Sequence, residues 1–103
     1  AAADGERYEW TTLYKDIAEQ ARQEGLSQVA TAFTEIAEVE EEHEKRYRKL
    51  LENVRQGRVF ARDTVVRWRC RNCGYVHQGK AAPQVCPACR HPQAFYELMA
   101  ENY

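Results

Sequence analysis

No stretch of this chain approaches the roughly 18 consecutive apolar residues of a transmembrane helix. Nor does one sign of charge dominate: 15 Lys and Arg stand against 16 Asp and Glu, a formal net charge of −1. The first absence excludes an apolar helical span. The second removes any electrostatic case for nucleic acid or an anionic membrane as partner. The opening residues Ala1-Ala2-Ala3-Asp4 lack the basic region and apolar stretch of a secretory leader, so the expected compartment is the cytoplasm. A start at Ala rather than Met points to processing, cleavage or a piece of a longer protein. Low-complexity tracts and short repeats are also missing, and 103 residues have room for one modest domain or two very small ones.

What is present is concentrated in four cysteines, Cys70-Arg-Asn-Cys73 and Cys86-Pro-Ala-Cys89. Two CxxC pairs at this separation suit a tetrahedral four-thiolate metal site, because each pair lets two sulfurs from one tight turn reach the same ion. Gly74 suits the first turn. Trp68, Tyr75, Phe95 and Tyr96 can supply a small dry core where about 40 residues alone could not. Two structural disulfides are the alternative, disfavoured in a reducing compartment. Tetrahedral sulfur suits zinc and iron equally. Strands are expected at Thr64–Arg69, Tyr75–His77 and Phe95–Leu98 around the cysteines.

Upstream the periodicity is helical. Ala2, Glu6, Glu9, Leu13, Ile17 and Ala21 recur at spacings of three and four, ending at Gly25. Ser27 is a candidate N-cap for a second helix running to Gln56, with Gly57 as its stop. Its apolar stripe reads Val29, Phe33, Ile36, Glu40, His43, Tyr47, Leu50, Val54. The pairs Glu41–Lys45, Glu42–Arg46 and Glu44–Arg48 mark the opposite, solvated face. Glu40 and His43 interrupt the stripe on a shared face, where a carboxylate is rarely buried unless paired or bound to metal. Glu6 and Glu9 stand three apart on the first helix. A Glu from one helix and a Glu-x-x-His from the next form half the ligand set of di-iron carboxylate bundles. The bland alternative is a solvated patch, since Glu38, Glu41, Glu42 and Glu44 crowd the same turns.

The stretch Trp68-Arg-Cys-Arg-Asn-Cys-Gly-Tyr-Val-His-Gln-Gly79, followed by Cys86-Pro-Ala-Cys89 and His91-Pro92, resembles the rubredoxin-like Fe(Cys)4 domain at the C-terminus of rubrerythrins. Arg90 departs from that pattern: rubredoxins usually have Gly there, and rubrerythrins a small residue. Glu6-Arg-Tyr-Glu9-Trp-Thr-Thr-Leu-Tyr14 and Glu40-Glu-Glu-His43-Glu-Lys-Arg-Tyr47 resemble the second half of a rubrerythrin ferritin-like domain. The fold this implies is mainly α with a small β metal module: half of a ferritin-like four-helix bundle over 1–57, a linker over 58–63 and a rubredoxin-like domain over 64–103. The resemblance implies Glu6, Glu9, Glu40 and His43 as di-iron ligands, with Glu40 bridging and Glu9 exchanging with a histidine when iron changes oxidation state. It implies Cys70, Cys73, Cys86 and Cys89 as ligands of the second iron. Tyr14 matches a tyrosine that hydrogen-bonds a ligand carboxylate; an ordinary core aromatic is the alternative.

The family's first helix pair, with its own Glu and Glu-x-x-His, has no counterpart here, and two helices cannot bury their apolar stripes alone. Partner helices are therefore expected from another chain, from a swapped segment, or from a second copy of this one. The resemblance implies a non-haem peroxidase that reduces hydrogen peroxide to water in oxidative stress defence, active only with those helices. It implies a di-iron centre, oxo- or hydroxo-bridged when oxidised, and a rubredoxin-type iron that relays electrons, for which zinc can substitute. A homodimer is implied, together with a rubredoxin or an NAD(P)H-dependent reductase as donor. Two competing functions remain: ferroxidase or oxidase chemistry with oxygen at the same site, and a non-enzymatic zinc-ribbon adaptor.

Overall fold

Two glycines end the two helical stretches in the same way. At Gly25 (φ 76°), Leu26 N–H donates to the Ala21 carbonyl at 2.8 Å and Gly25 N–H to Arg22 at 3.1 Å. At Gly57 (φ 66°), Arg58 N–H donates to Asn53 at 2.7 Å and Gly57 N–H to Val54 at 3.2 Å. Each pattern satisfies carbonyls that the helix end leaves orphaned, and each needs a left-handed residue that glycine adopts without steric cost. In the computed structural model, which describes residues 1–103, the chain divides into two units, Ala1–Glu52 and Asn53–Tyr103.

The first unit is a helical hairpin. Its first arm comprises α1 (Ala2–Tyr8), a π-helical turn (Glu9–Leu13) and α2 (Tyr14–Gln23); the second arm is α3 (Ser27–Arg55). Ser27 is the first helical residue rather than the cap, a shift of one position. The π-turn was not anticipated. Tyr14 N–H reaches back to the Glu9 carbonyl, five residues away, so the arm gains one residue against the 3.6 repeat. Burial shifts accordingly: Ala3, Ala18 and Ala21 are buried, whereas Ala2 is exposed and Ile17 only half-buried.

On α3 the buried positions are Ala30, Ala37 and Glu44. The apolar stripe read from the sequence lies on another face: Val29, Ile36, Tyr47, Leu50 and Val54 are exposed. Glu44, expected on the solvated side, is a correction, being only 8% exposed. Its Oε1 accepts a hydrogen bond from Trp10 Nε1 at 2.9 Å, and its Oε2 pairs with Arg48 at 2.5 Å. Arg48 also reaches Asp4 at 3.3 Å. The apolar period hid Glu44 because Trp10, the partner that draws it inward, comes from the other arm. By contrast, Lys45 bridges Glu41 and Glu42 at 3.2 and 2.7 Å on an exposed surface, where such pairs contribute little.

The second unit is a three-stranded antiparallel sheet in the order β2-β1-β3, with β1 at Ala61–Cys70, β2 at Val76–Ala81 and β3 at Tyr96–Leu98. A 3-10 turn, Gln93–Phe95, precedes β3. Trp68 pairs with His77 on one side and Leu98 on the other, and Cys70 with Tyr96. The core comprises Trp68, Cys70, Ala82, Cys86 and Tyr96, with Phe60, Val66, Cys89 and Phe95 packed against it. Trp68 is fully buried, and its Nε1–H donates to the Gly79 carbonyl at 3.0 Å. The metal-site sulfurs are thus part of the core.

The Glu44 carboxyl is held below its usual value of 4.5 by the Trp10 hydrogen bond and then by Arg48, against the opposing effect of burial. A lowered carboxyl contributes stability that is present above the unfolded pKa and lost as pH falls through the folded one. Glu44→Gln should therefore lower the thermal midpoint of the native assembly near neutral pH. The deficit should shrink below about pH 4.5; thermal melts across pH check both.

Candidate metal centres

The two CxxC turns have the same construction. Gly74 N–H donates to the Cys70 carbonyl at 2.8 Å, and Arg90 N–H to the Cys86 carbonyl at 2.9 Å. The residue after each second cysteine is left-handed: Gly74 at φ 87° and Arg90 at φ 66°. Arg90 therefore occupies a conformation that costs a non-glycine residue free energy. Cys86 N–H closes the second turn on the His91 carbonyl at 2.8 Å.

These turns bring all four sulfurs within 4.8 Å of one another. Cys70–Cys89 and Cys73–Cys86 are each 3.7 Å apart. A disulfide requires about 2.05 Å. A tetrahedron with metal–sulfur bonds of about 2.3 Å has edges of about 3.8 Å. The sulfurs fit an ion, and both pairs are too long to be disulfides. Cys70 and Cys86 are buried, Cys89 is intermediate and Cys73 is exposed, so one edge of the site faces solvent.

The surroundings favour thiolates unevenly. The His91 N–H brings Cys89 down to about 6, with help from Asn72 and against burial. The Tyr75 N–H favours the Cys73 thiolate, yet burial and the other three sulfurs push Cys73 up to about 12. Burial opposes ionisation of Cys86, but the N–H groups of Cys89 and Ala88 and the Tyr96 hydroxyl lower it overall. Four adjacent thiolates need a cation among them, and binding one releases the remaining protons.

In the helical unit, Glu6, Glu40 and His43 offer ligand atoms within 4.8 Å of one another. His43 Nδ1 lies 2.7 Å from Glu40 Oε2 and 3.7 Å from Glu6 Oε1. The other Glu6 oxygen, Oε2, is buried without a hydrogen-bond partner. A buried carboxylate oxygen in that state is costly, and a metal ion satisfies it. Carboxylate with imidazole is a donor set that suits iron.

Glu9, at the start of the π-turn, lies beside this trio rather than within it. Its carboxyl is raised by burial first, then by its hydrogen bond to Glu6 and the Glu6 charge. Tyr14 follows the turn. Its ring packs against Phe33 with centroids 5.7 Å apart, and its hydroxyl is raised chiefly by the Glu9 charge, then by burial, Glu40 and Glu6. No hydrogen bond joins Tyr14 to these carboxylates. The residues missed from the sequence are Trp10 and Glu44, neighbours of Glu9 and His43 in the chain, which tie the two arms together at this level.

Residues 2–70 match the family described as Rubrerythrin, and residues 68–97 match the Rubrerythrin, rubredoxin-like domain. Over 103 residues the chain is 55% identical to Rubrerythrin-1 of Clostridium acetobutylicum. It is 54% identical to Rubrerythrin of Porphyromonas gingivalis and 50% identical to Rubrerythrin of Nitratidesulfovibrio vulgaris. Each match takes in 100% of this chain and 53%, 52% and 54% of the respective relative. The chain therefore spans about half the length of the curated relatives it matches.

Two outcomes test the thiolate site. Chelation of its metal should expose Trp68, read as a red shift of tryptophan emission, because the sulfurs and Trp68 share one core. Arg90→Gly should stabilise the metal-loaded sheet unit by up to about 1 kcal/mol, relief of the left-handed strain being partly offset by unfolded-state entropy. Denaturant midpoints check the second.

Proposed function

The chain belongs to the rubrerythrin family, and on that premise we propose that it is part of a non-haem di-iron peroxidase reducing hydrogen peroxide to water. The observation that carries the reading is the pairing, in one chain of this family, of a tetrahedral sulfur quartet with a Glu–Glu–His cluster whose buried Glu6 oxygen lacks a partner. Glu6, Glu9, Glu40 and His43 would hold the di-iron centre; the four cysteines would hold the second iron. Iron held there by the carboxylates and His43 would supply the two electrons that, with two protons, convert one peroxide into two waters.

The side chains have separate parts in this scheme. Glu40 Oε2 and His43 Nδ1 face each other across 2.7 Å, and both would turn to a shared ion as ligands. Glu9, the fourth candidate ligand, stands next to Glu6 at the start of the π-turn. Tyr14 places its hydroxyl in the field of the same carboxylates, where it retains its proton and can donate a hydrogen bond. The closed thiolate set offers no open position, so it relays single electrons. Its exposed Cys73 edge is where a donor would approach.

The exposed stripe Val29, Ile36, Tyr47, Leu50 and Val54 is apolar surface that a bundle buries, which supports partner helices from another chain, a swapped segment or a second copy. We place the helix-pair domain at 1–57, the linker at 58–63 and the rubredoxin-like domain at 64–103. A homodimer, a rubredoxin or NAD(P)H-dependent reductase as donor, and a cytoplasmic site of action complete the proposal.

Elemental analysis of the native assembly should give about three irons per copy of this chain, or about two if paired copies share one di-iron site. Glu40→Ala and His43→Ala should each lose the carboxylate-bound iron and peroxide turnover while keeping the thiolate iron's visible absorption. Undiminished peroxide turnover in both variants would overturn the assignment. Faster reaction of the reduced protein with oxygen than with peroxide would favour an oxidase, and zinc unaffected by either substitution an adaptor.

A further inference from the structure

Tyr96 opens β3 directly opposite Cys70 in the β1–β3 ladder and is only 3% exposed. Its hydroxyl is buried and makes no hydrogen bond in the structure. It shares one small core with the fully buried Cys86 sulfur, the group that acts on its hydroxyl most strongly after burial. A phenol in this position carries a donor that water cannot reach, and a buried donor left unsatisfied is costly. A metal-bound thiolate is an acceptor that removes the cost.

We propose that Tyr96 donates its hydroxyl hydrogen bond to the Cys86 thiolate and thereby raises the reduction potential of the metal–thiolate centre. The inference rests on the reading of the cysteine quartet as an iron site. Adding one electron to an Fe(Cys)4 group takes its net charge from −1 to −2, and the added density falls largely on sulfur. A donor fixed at one sulfur therefore stabilises the reduced form more than the oxidised one. Hydrogen bonds to sulfur and burial are the means by which a protein sets the potential of such a centre. The backbone N–H groups of Ala88 and Cys89 also serve Cys86, but they follow from the turn itself. Tyr96 is the side-chain donor, so this sulfur can be tuned without altering the turn.

The test is the midpoint potential of the thiolate iron in the intact iron-loaded assembly, followed by its visible charge-transfer absorption. Tyr96→Phe keeps the ring and removes only the donor. It should shift the ferric/ferrous equilibrium about tenfold toward ferric, a fall of about 59 mV for one electron, with the absorption band retained. Fluorotyrosine in place of tyrosine throughout acidifies the phenol and should raise the potential of the unmodified chain but not of Tyr96→Phe. This second measurement needs only the unmodified fold. A potential unmoved by both changes would overturn the proposal. Absence of the band in the iron-loaded unmodified chain would instead overturn the iron–thiolate reading, and the proposal with it.

Discussion

Mutual repulsion among anionic ligands is the constraint on which the rest of this structure depends. Four sulfurs lie within 4.8 Å of one another, and in the other unit two carboxylates and an imidazole do the same. The four sulfurs cannot all ionise in a partly dry setting without a cation. The sheet unit meets this with backbone N–H donors aimed at sulfur from Tyr75, Ala88, Cys89 and His91. In the helical unit Glu40 Oε2 and His43 Nδ1 lie 2.7 Å apart, and the Glu9 carboxyl is raised by burial and by the neighbouring Glu6.

The same constraint explains how little conventional core either unit has. In the sheet unit, two of the five core residues are cysteines of the sulfur quartet, Cys70 and Cys86. In the hairpin the buried residues are alanines and Glu44. Apart from Phe33, which packs against Tyr14, the larger apolar side chains of α3 are exposed. A hairpin joined through small residues and one buried ionic cluster, with its bulky stripe uncovered, leaves most of its hydrophobic burial to be gained from other helices.

The π-turn links backbone to chemistry. It begins at Glu9 and ends just before Tyr14, so the inserted residue falls between two side chains that face the carboxylate cluster. Within it, Trp10 reaches across to Glu44, next to His43 in the chain. That contact anchors the Glu9 segment to α3 by a hydrogen bond to a buried carboxylate, a stronger restraint than apolar contact alone.

Much of this was legible in the residues. The CxxC spacing identified a four-sulfur site because ligand separation in a tight turn is a local property. Gly25 and Gly57 marked both helix ends because a left-handed terminus needs a residue without Cβ. Glu40 and His43 stood out as polar breaks in an apolar period. The π-turn was not legible, because a one-residue insertion leaves the composition of the arm unchanged and disturbs its period only slightly. The type of residue at Arg90 argues against a left-handed backbone, and only the Gly usual there in rubredoxins hinted at one; the φ of 66° and the matching carbonyl contacts of the two turns reveal it. The exposure of the α3 stripe and the burial of Glu44 were decided by the tertiary structure alone. Which face of an amphipathic helix is covered depends on the elements that pack against it, and a hydrophobic period records only that some face is to be covered.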